Sequence, residues 1–302
     1  MFLLAHLSDV HLAPLPRPAL AELLGKRLSG YLSWHLNRQA MHSRKIIDLM
    51  TRDIIDVKPD HITITGDLVN IALEAEFTQA HRWLQNFGTG NRISLVPGNH
   101  DAYVPLALAK GIGRWQSYMT SNIPNDQHAR CFAGEFPYVR RFDDIVLIGV
   151  STAIATPPFI AGGRIGKDQL QALENILRDF GEQGLCRIIL IHHPPLPGQN
   201  RWRKALWDAA DFKDILHRHG AELVLHGHNH THMFQSTPGP GKAIPVYGVP
   251  SASMGINKSH PQACYYLFEV KKQQENWALK ATMRELTQDE SGFEDGGPLP
   301  TT

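Results

Sequence analysis

The sequence predicts an α/β protein built on two β-sheets. Short apolar runs bounded by turn residues recur along the chain, and helical patterns separate the early and middle runs. Strands that alternate with helices favour parallel connections, so we expect the first sheet to be mainly parallel. The late runs follow one another with little helix between them, which favours a second, more antiparallel sheet. The 302 residues suffice for one large domain with a buried core.

These patterns place the elements along the chain as follows. Apolar runs predict strands at 2–7, 61–65, 93–96, 145–150, 187–191, 223–225, 244–247 and 265–270. Helical periodicity predicts helices near 41–57, 71–87, 167–181 and 208–219. The stretch 287–302 is rich in Gly and Pro towards its end and is expected to be a loose tail. Residues 1–286 are then the folded domain.

Composition excludes several classes of protein. Apolar residues make up 42% of the chain and charged residues 20%, which is typical of a globular protein and not of a disordered or membrane protein. The 30 basic and 29 acidic residues nearly cancel, and no track of basic and aromatic residues is evident, so nucleic-acid binding is not expected. Histidine is in excess, with 17 residues, many of them beside Gly, Asn, Asp or Pro.

The cysteines and the first residues predict a cytoplasmic location. Cys131, Cys186 and Cys264 are odd in number and widely spaced, so a disulfide framework is not expected and a reducing compartment fits. The apolar run at 2–7 is too short for a signal peptide or a transmembrane segment, and it lacks a basic leader.

Polar clusters follow five of the predicted strands. The clusters are Asp9-Val10-His11, Gly66-Asp67, Gly98-Asn99-His100-Asp101, His192-His193-Pro194-Pro195 and Gly227-His228-Asn229-His230. Each cluster alone has an ordinary interpretation, such as a turn with a capping Asp or a buried His pair before a proline. Open α/β sheets bind ligands at the carboxyl ends of their strands, so five clusters at five strand ends are expected to converge on one site.

The converging side chains offer oxygen and imidazole nitrogen and no thiolate. This donor set favours Mn, Fe, Zn, Co or Ni over the purely oxygen-ligated Ca or Mg. Seven potential ligands would crowd a single ion, whereas one carboxylate can bridge two. Two ions about 3.5–4 Å apart would clamp a phosphoryl group and acidify a shared water, giving a hydroxide nucleophile near neutral pH.

The five clusters, in this order, resemble the signature of the calcineurin-like metallophosphoesterase superfamily. The resemblance spans residues 9 to 230 and implies a four-layer αββα sandwich of two mixed β-sheets flanked by helices. It implies a first metal held by Asp9, His11 and His230. It implies a second metal held by Asn99, His192 and His228, with Asp67 bridging. The implied cofactors are two divalent or mixed-valence transition-metal ions, with Mn, Fe or Zn as candidates.

Two further residues are expected to take part in catalysis, His100 from the resemblance and Asp101 from its position next to it. His100 matches the family position that donates a proton to the leaving group or stabilises the transition state. Asp101 is expected to orient the His100 ring, because a carboxylate can fix the tautomer and direction of an imidazole.

Two departures narrow the subfamily. Purple acid phosphatases carry a Tyr three residues after the bridging Asp, where this chain has Asn70. Lipid A precursor hydrolases carry an Arg where this chain has His100. The remaining pattern resembles the bacterial branch that contains cyclic-nucleotide phosphodiesterases, and the stretch 163–170 loosely resembles a Gly-x-Ile/Leu…Gln-Leu stretch of that branch.

The expected function is hydrolysis of a phosphodiester, either a cyclic nucleotide or another small diester. A phosphomonoesterase or a nucleotide pyrophosphatase on the same metals remains an alternative, as do a nuclease and a non-catalytic metal-binding scaffold. The expected partner is a small-molecule phosphoester, and substrate choice is expected to lie in loops such as 101–135 and 152–166.

The segment 18–38 has an unusual composition for a connection between strands. Its apolar positions approximate a helical stripe and are Leu20, Leu24, Leu28, Tyr31 and Leu36. Its basic residues and Trp34 are suited to contact a substrate. We expect a rim helix or flap at the active site, while a homodimer contact and a peripheral membrane contact through 19–38 remain open.

Overall fold

The protein is described by a computed structural model that covers residues 1–123, 127–128, 135–274 and 276–300. Its strands are, in chain order, β1 (Phe2–Leu7), β2 (His61–Ile64), β3 (Ile93–Leu95), β4 (Tyr138–Phe142), β5 (Ile145–Gly149), β6 (Cys186–Leu190), β7 (Leu223–His226), β8 (Met233–Pro238), β9 (Ala243–Gly248), β10 (Cys264–Gln273), β11 (Asn276–Leu286) and β12 (Phe293–Pro298). Its α-helices are α1 (Lys26–Ser33), α2 (Arg44–Val57), α3 (Glu74–Phe87), α4 (Lys167–Glu182) and α5 (Ala209–His219).

The strands form two mixed sheets of six. The first sheet has the order β12-β11-β10-β1-β2-β3, in which β1, β2 and β3 are parallel and β10, β11 and β12 are added antiparallel. The second has the order β4-β5-β6-β7-β9-β8, with β5, β6, β7 and β9 parallel and antiparallel strands at both edges. Two mixed sheets flanked by helices confirm the predicted fold class.

The distribution of strands between the sheets differs from the prediction. The late strands β10 to β12 were expected in a separate antiparallel sheet, but they complete the first sheet through the pairing of β10 with β1. Each sheet therefore combines parallel and antiparallel pairs. The edge strands β4, β8 and β12, and β11 beside β12, were not predicted. Residues along β8 and β11 are largely exposed or half-buried, so these strands lack the continuous apolar run that marks a buried strand.

The prediction of a loose tail at 287–302 was wrong for residues 293–299. Residues 293–298 form β12, which pairs with β11, and the side chains of Phe293 and Leu299 are buried. The backbone hydrogen bonds of an edge strand hold this stretch even though its own sequence, Phe-Glu-Asp-Gly-Gly-Pro, has little strand propensity.

Apolar faces on the helices hold them against the sheets. In α2 the buried residues Ile46, Ile47, Met50 and Ile54 lie on one side, and they belong to a hydrophobic cluster that also contains residues of both sheets. The helices α4 and α5 pack on the outer face of the second sheet and form a second cluster with it. Each such side chain contributes about 1.5–3 kcal/mol by leaving water.

Cys186 and Cys264 are buried and carry free thiols. Cys131 lies outside the described residues, as do part of the loop 101–135 and residues 301–302. None of the described helices combines the length and the apolar character that crossing a membrane requires.

Candidate metal centre

The loops that follow β1 and β2 run side by side and carry three of the predicted site residues. The backbone N–H of Asp9 donates to the Gly66 carbonyl oxygen at 3.0 Å, and that of His11 donates to the Asp67 carbonyl oxygen at 2.9 Å. These bonds extend the parallel pairing of the two strands beyond their ends. The side chains of Asp9, His11 and Asp67 are buried together as a result.

Five of the seven predicted metal ligands have a left-handed backbone. The described residues include eleven non-glycine residues with positive φ, and the five predicted ligands among them are Asp9, His11, Asp67, His228 and His230. This conformation is uncommon outside glycine and persists where the surrounding structure imposes it. Its concentration in one cluster indicates a functional site.

Two glycines are required because the backbone approaches the ligands closely. A Cβ atom at Gly98 would overlap the Asp67 carboxylate, and one at Gly227 would overlap the Asp9 carboxylate. The glycines of the Gly-Asn-His and Gly-His-x-His patterns thus have a packing reason. They allow the turns that carry Asn99 and His228 to lie against the turns that carry the carboxylates.

Asp9, His11, His230 and Asp67 form a first cluster of donor atoms. The Nε2 atom of His230 lies 3.1 Å from Asp9 Oδ1 and 3.2 Å from His11 Nε2. The Nε2 atom of His11 lies 3.9 Å from both Asp9 Oδ1 and Asp67 Oδ2. The structure therefore brings together the residues that the resemblance assigns to one metal.

Asn99, His192, His228 and Asp67 form a second cluster. The Oδ1 atom of Asn99 lies 3.1 Å from His192 Nε2 and 2.8 Å from His228 Nδ1, and these two ring nitrogens are 3.3 Å apart. His192 Nε2 also lies 3.4 Å from Asp67 Oδ2. Asp67 thus faces both clusters through the same oxygen atom, which is the position of a bridging carboxylate.

In three of the histidines, the ring nitrogen that points away from the site (the outer nitrogen) is hydrogen-bonded to a backbone carbonyl. This bond determines which ring nitrogen faces the site. His11 Nδ1 donates to the Val69 carbonyl oxygen at 3.2 Å, His192 Nδ1 to that of Thr65 at 2.6 Å, and His228 Nε2 to that of Lys204 at 3.1 Å. Carbonyl oxygens only accept, so each of these outer nitrogens carries a proton. In a neutral imidazole the inner nitrogen then presents a lone pair, as metal-ligating histidines do.

The donor set fits two cations. Inner lone pairs, two buried carboxylates and an amide oxygen face one another at 2.8–3.9 Å, and such an arrangement is repulsive without positive charge. His and carboxylate ligand atoms lie within 4.8 Å of one another in the groups Asp9-Asp67-His192, His11-Asp67-His100 and His11-His42-His230. Nitrogen and oxygen donors of this kind suit Mn, Fe or Zn.

In the metal-free protein, a proton on His192 supplies part of the positive charge that these donor groups require. Burial opposes the charged imidazolium of His192, but the Asp67 carboxylate outweighs it and raises the pKa of His192 to about 9. The same pairing outweighs the burial of Asp67 and lowers the pKa of that carboxyl. A metal ion at this position must therefore displace a proton.

His100 lies beside the clusters and contacts Arg38. Its Nδ1 donates to the Asn70 carbonyl oxygen at 2.5 Å, which leaves Nε2 directed at the site. The guanidinium of Arg38 donates to His100 Nε2 at 3.1 Å and to His11 Nε2 at 2.9 Å. Burial and the charge of Arg38 lower the pKa of His100 to about 4, so the ring is neutral at pH 7.

Asp101 does not contact the His100 ring, and the prediction that it orients this ring was wrong. Its carboxylate accepts the backbone N–H groups of Asp67, Leu68, Val69 and Gly98 at 2.8–3.2 Å. The Asn70 carbonyl orients His100 instead. Burial and Asp67 raise the pKa of Asp101 to about 7, but four N–H donors favour the ionised carboxylate. Asp101 ties the turn that carries Asp67 to the turn that carries Asn99.

Sequence analysis missed His42. Its ring lies 4.8 Å from the His11 ring and 5.9 Å from the His230 ring, and its Nδ1 is 2.7 Å from Ser253 Oγ. No polar cluster at a strand end marks His42 in the sequence. The excess of histidines was the only signal, and it does not identify a particular residue.

A cleft of about 370 Å³ opens above the donor clusters. Its lining includes Asp67, Asn99 and His100 at the bottom and the basic residues Lys26, Arg38 and Lys204 on the walls. Lys26 and Arg38 belong to the segment 18–38, so this segment forms part of the cleft. The Lys26 ammonium donates to Thr156 Oγ1 and lies over the Tyr103 ring, and burial lowers its pKa to about 8.

Comparison with known proteins agrees with this architecture. The model of the calcineurin-like phosphoesterase family matches residues 2–232, and the chain belongs to this family. A search of curated proteins found no match. A crystal structure of a dimetal phosphatase from Danio rerio has 12% identity and a TM-score of 0.64, with 99% of this chain and 98% of that chain covered.

Two larger structures also share the fold. Purple acid phosphatase PPD1 from yellow lupin has 12% identity and a TM-score of 0.50, with 97% of this chain and 52% of that chain covered. A sulfate thiohydrolase, SoxB, from Thermus thermophilus has 14% identity and a TM-score of 0.50, with 93% and 56% covered. At these identities the likeness shows the fold, and the family supports a metal-dependent phosphoesterase.

Proposed function

We propose that this protein hydrolyses a small phosphodiester, with a cyclic nucleotide as the first candidate, and that two metal ions serve the reaction. The observation that carries the proposal is the pair of donor clusters that share one oxygen of Asp67. The proposed ligands are Asp9, His11, Asp67, Asn99, His192, His228 and His230. Bound there, two ions would neutralise phosphoryl charge and lower the pKa of a water molecule.

The basic walls of the cleft bind and orient the substrate in this proposal. Arg38 has a planar fork of donors that matches two phosphate oxygens, and it stays charged at any working pH. Its present acceptors are the uncharged ring nitrogens of His11 and His100. The lone pair of that His11 nitrogen would be taken up by a bound metal ion, and the released guanidinium could then donate to an anionic phosphoryl group, which is a stronger acceptor.

His100 acts in this proposal by positioning Arg38 rather than as a proton donor. Its proton is on Nδ1, and Nε2 faces the cleft as an acceptor. Donation from Nε2 requires a second proton, which burial and Arg38 disfavour. His100 Nε2 instead holds the guanidinium of Arg38 at the place where the phosphoryl charge is expected.

A phosphomonoesterase is the second candidate, because a monoester carries two negative charges and the cleft offers Lys26, Arg38 and Lys204. The space above the clusters supports a diester, since a volume of about 370 Å³ leaves room for a group on each side of the phosphate.

The experiment is a panel of substrates assayed with protein loaded with Mn, Fe or Zn. It compares bis-nitrophenyl phosphate, nitrophenyl phosphate, cyclic nucleotides and a nucleoside diphosphate sugar. We expect higher kcat/KM for diesters than for the monoester with at least one metal. Faster hydrolysis of the monoester with every metal would replace the diesterase by a monoesterase. Absence of metal-dependent turnover on all of them would refute the proposed function.

A further inference from the structure

Exposed apolar side chains are concentrated around the mouth of the cleft. The described residues include eleven exposed large apolar side chains, and seven of them lie in the three segments 14–40, 153–167 and 197–207. The seven are Leu20, Leu24, Leu28, Leu32, Leu36, Phe159 and Trp202. A concentrated apolar patch marks an interaction surface, whereas single exposed apolar residues need no explanation.

The five leucines recur at every fourth position and face outward while the opposite side of their segment is anchored. Trp34 is buried and stacks on the His42 ring at a centroid distance of 6.0 Å. The guanidinium of Arg27 donates to the backbone carbonyls of Ile71 and Ala72. The leucines therefore form an exposed apolar face, on the side of the segment opposite to the one that packs against the rest of the protein.

The three segments adjoin one another and form one surface, which we call the rim. Lys26 of α1 donates to Thr156 Oγ1 at 2.8 Å and to the Ile160 carbonyl oxygen at 3.2 Å. The backbone N–H of Ala161 donates to the Arg203 carbonyl oxygen at 2.8 Å. Lys26, Phe159 and Lys204 also line the cleft, so the rim surrounds its opening.

The rim is strongly basic although the chain as a whole is nearly neutral. Its three segments contain nine Lys or Arg residues and one carboxylate, Glu22, and two more carboxylates, Asp168 and Asp208, directly follow two of the segments, whereas the complete chain has 30 basic and 29 acidic residues. The exposed basic residues include Arg17, Arg164, Arg201 and Arg203. Trp202 is 63% exposed between two of these arginines.

We propose that the rim docks on the surface of an anionic phospholipid membrane. Leucine and Trp side chains that enter the headgroup region, together with basic residues that contact lipid phosphates, are the combination by which peripheral proteins bind such surfaces. Complementary charge favours this occupant over a second copy of the chain, because two basic rims repel each other. Outward leucines also distinguish the rim from a nucleic-acid site, which uses aromatic stacking.

Docking would place the mouth of the cleft against the bilayer. The substrate would then be a phosphodiester that carries an apolar group and is held in the membrane. This part of the inference rests on the proposed function. The diester phosphate would reach Lys26 and Arg38 while the apolar part remains with the leucines and the lipid.

The first experiment measures binding without turnover. The full chain is sedimented with vesicles of phosphatidylcholine, with or without phosphatidylglycerol. We expect binding to the anionic vesicles that weakens in high salt. Leu28→Ser should lower the partition constant about fivefold or more, and Arg201→Glu with Arg203→Glu about tenfold or more.

Matched variants outside the rim control for the general effect of losing an exposed apolar side chain or of reversing two exposed charges. Ile55 is 47% exposed and Leu28 is 48% exposed, so Ile55→Ser tests loss of one apolar side chain elsewhere. Arg52→Glu with Arg82→Glu reverses two exposed charges on α2 and α3. Both controls should bind as the unchanged protein does. Absence of binding to anionic vesicles, or equal losses in rim and control variants, would overturn the proposal. So would a dimer that Leu28→Ser dissociates while vesicle binding is unchanged.

The second experiment tests the substrate and is independent of the first. Hydrolysis of bis-nitrophenyl phosphate in solution is compared with that of a phosphodiester held in the anionic vesicles. We expect Leu28→Ser to reduce only the vesicle reaction, at least fivefold. An equal loss of the soluble and the vesicle reaction in Leu28→Ser would overturn the proposal that the substrate is held in the membrane. Loss of the soluble reaction in the unchanged protein would instead refute the proposed function and leave the binding result intact.

Discussion

At the residue scale, the arrangement around Arg38 links the segment 18–38 to the donor clusters. A π-helical turn, Trp34–Arg38, ends at this arginine. Single π-turns are frequent at functional sites because they redirect one side chain. Here the turn directs the guanidinium to His11 and His100, within the cleft and away from the exposed leucines.

Replacing Arg38 by Ala should raise KM for a phosphodiester about tenfold or more while both metals remain bound. The reason is the loss of a charged donor pair, which is typically worth about 1.5–3 kcal/mol. Steady-state kinetics and metal analysis of the same preparation provide the test. Arg17→Ala removes an exposed arginine directly before this segment and should leave KM for a soluble diester unchanged. Loss of metal from the Arg38→Ala protein would show that this residue supports the centre itself.

Replacing His100 by Ala should raise KM for a phosphodiester no more than Arg38→Ala does and should change kcat little, for leaving groups of every acidity. The expected independence follows from the resting tautomer, in which Nε2 has no proton to give. The measurement is kcat for a series of aryl phosphodiesters whose phenols differ in pKa. A loss that shrinks for the most acidic phenols would contradict this interpretation and would identify His100 as a general acid.

At the element scale, turns rather than strands set the geometry of the centre. The parallel strands β1, β2 and β3 end at one edge, and the turns beyond them are tied to each other by backbone hydrogen bonds and by Asp101. Four N–H groups converge on this carboxylate, so its loss would leave several buried donors without an acceptor.

Replacing Asp101 by Asn should reduce metal occupancy and lower the free energy of unfolding by about 1–3 kcal/mol. A matched control is Asp208→Asn, because Asp208 likewise accepts the N–H groups of Ile165 and Gly166 but lies outside the donor clusters. Thermal unfolding and metal analysis should show destabilisation in both variants and loss of metal only in the first. Full metal occupancy in the Asp101→Asn protein would contradict the role in positioning Asp67.

At the scale of the whole molecule, metal binding and protonation are linked through His192. The pKa of His192 in the metal-free protein is about 9, above the ordinary value of 6.5, so at pH 7 the ring carries a proton that a metal must displace. Metal affinity should therefore rise with pH up to about 9, with about one proton released per chain from this residue. Calorimetric titration in buffers with different ionisation enthalpies measures that release. Metal binding at pH 7 without proton release would contradict the linkage.

The sequence predicts much of the fold and most of the candidate site for physical reasons. The buried strands β1, β2 and β6 are short runs rich in apolar residues, and Asp67, Asn99 and His192 each come two to four residues after such a strand. Local patterns of this kind are visible without tertiary information. The tail was misjudged because β12 owes its order to pairing with β11, which its own residues do not encode.

Other features depend on contacts between distant parts of the chain. His42 comes within 4.8 Å of the His11 ring because residues 41–43 pair with residues 253–255, more than 200 positions away. Asp101 was assigned to its neighbour in sequence, His100, whereas three of its four partners lie in the turn at 67–69. Four of the five outward leucines were expected on one helical face and Leu32 was not, and the sequence does not specify that Trp34 and Arg27 anchor the other face.

The central claim is a pair of metal ions that share the Asp67 carboxylate. The most direct test is metal analysis of the unchanged protein and of Asp67→Ala, His11→Ala and His192→Ala, each loaded with manganese and examined by electron paramagnetic resonance. The account predicts two ions per chain with a spin-coupled spectrum in the unchanged protein. It predicts one uncoupled ion in each histidine variant and loss of both ions in Asp67→Ala. A single uncoupled ion in the fully loaded unchanged protein, or two coupled ions in Asp67→Ala, would contradict it.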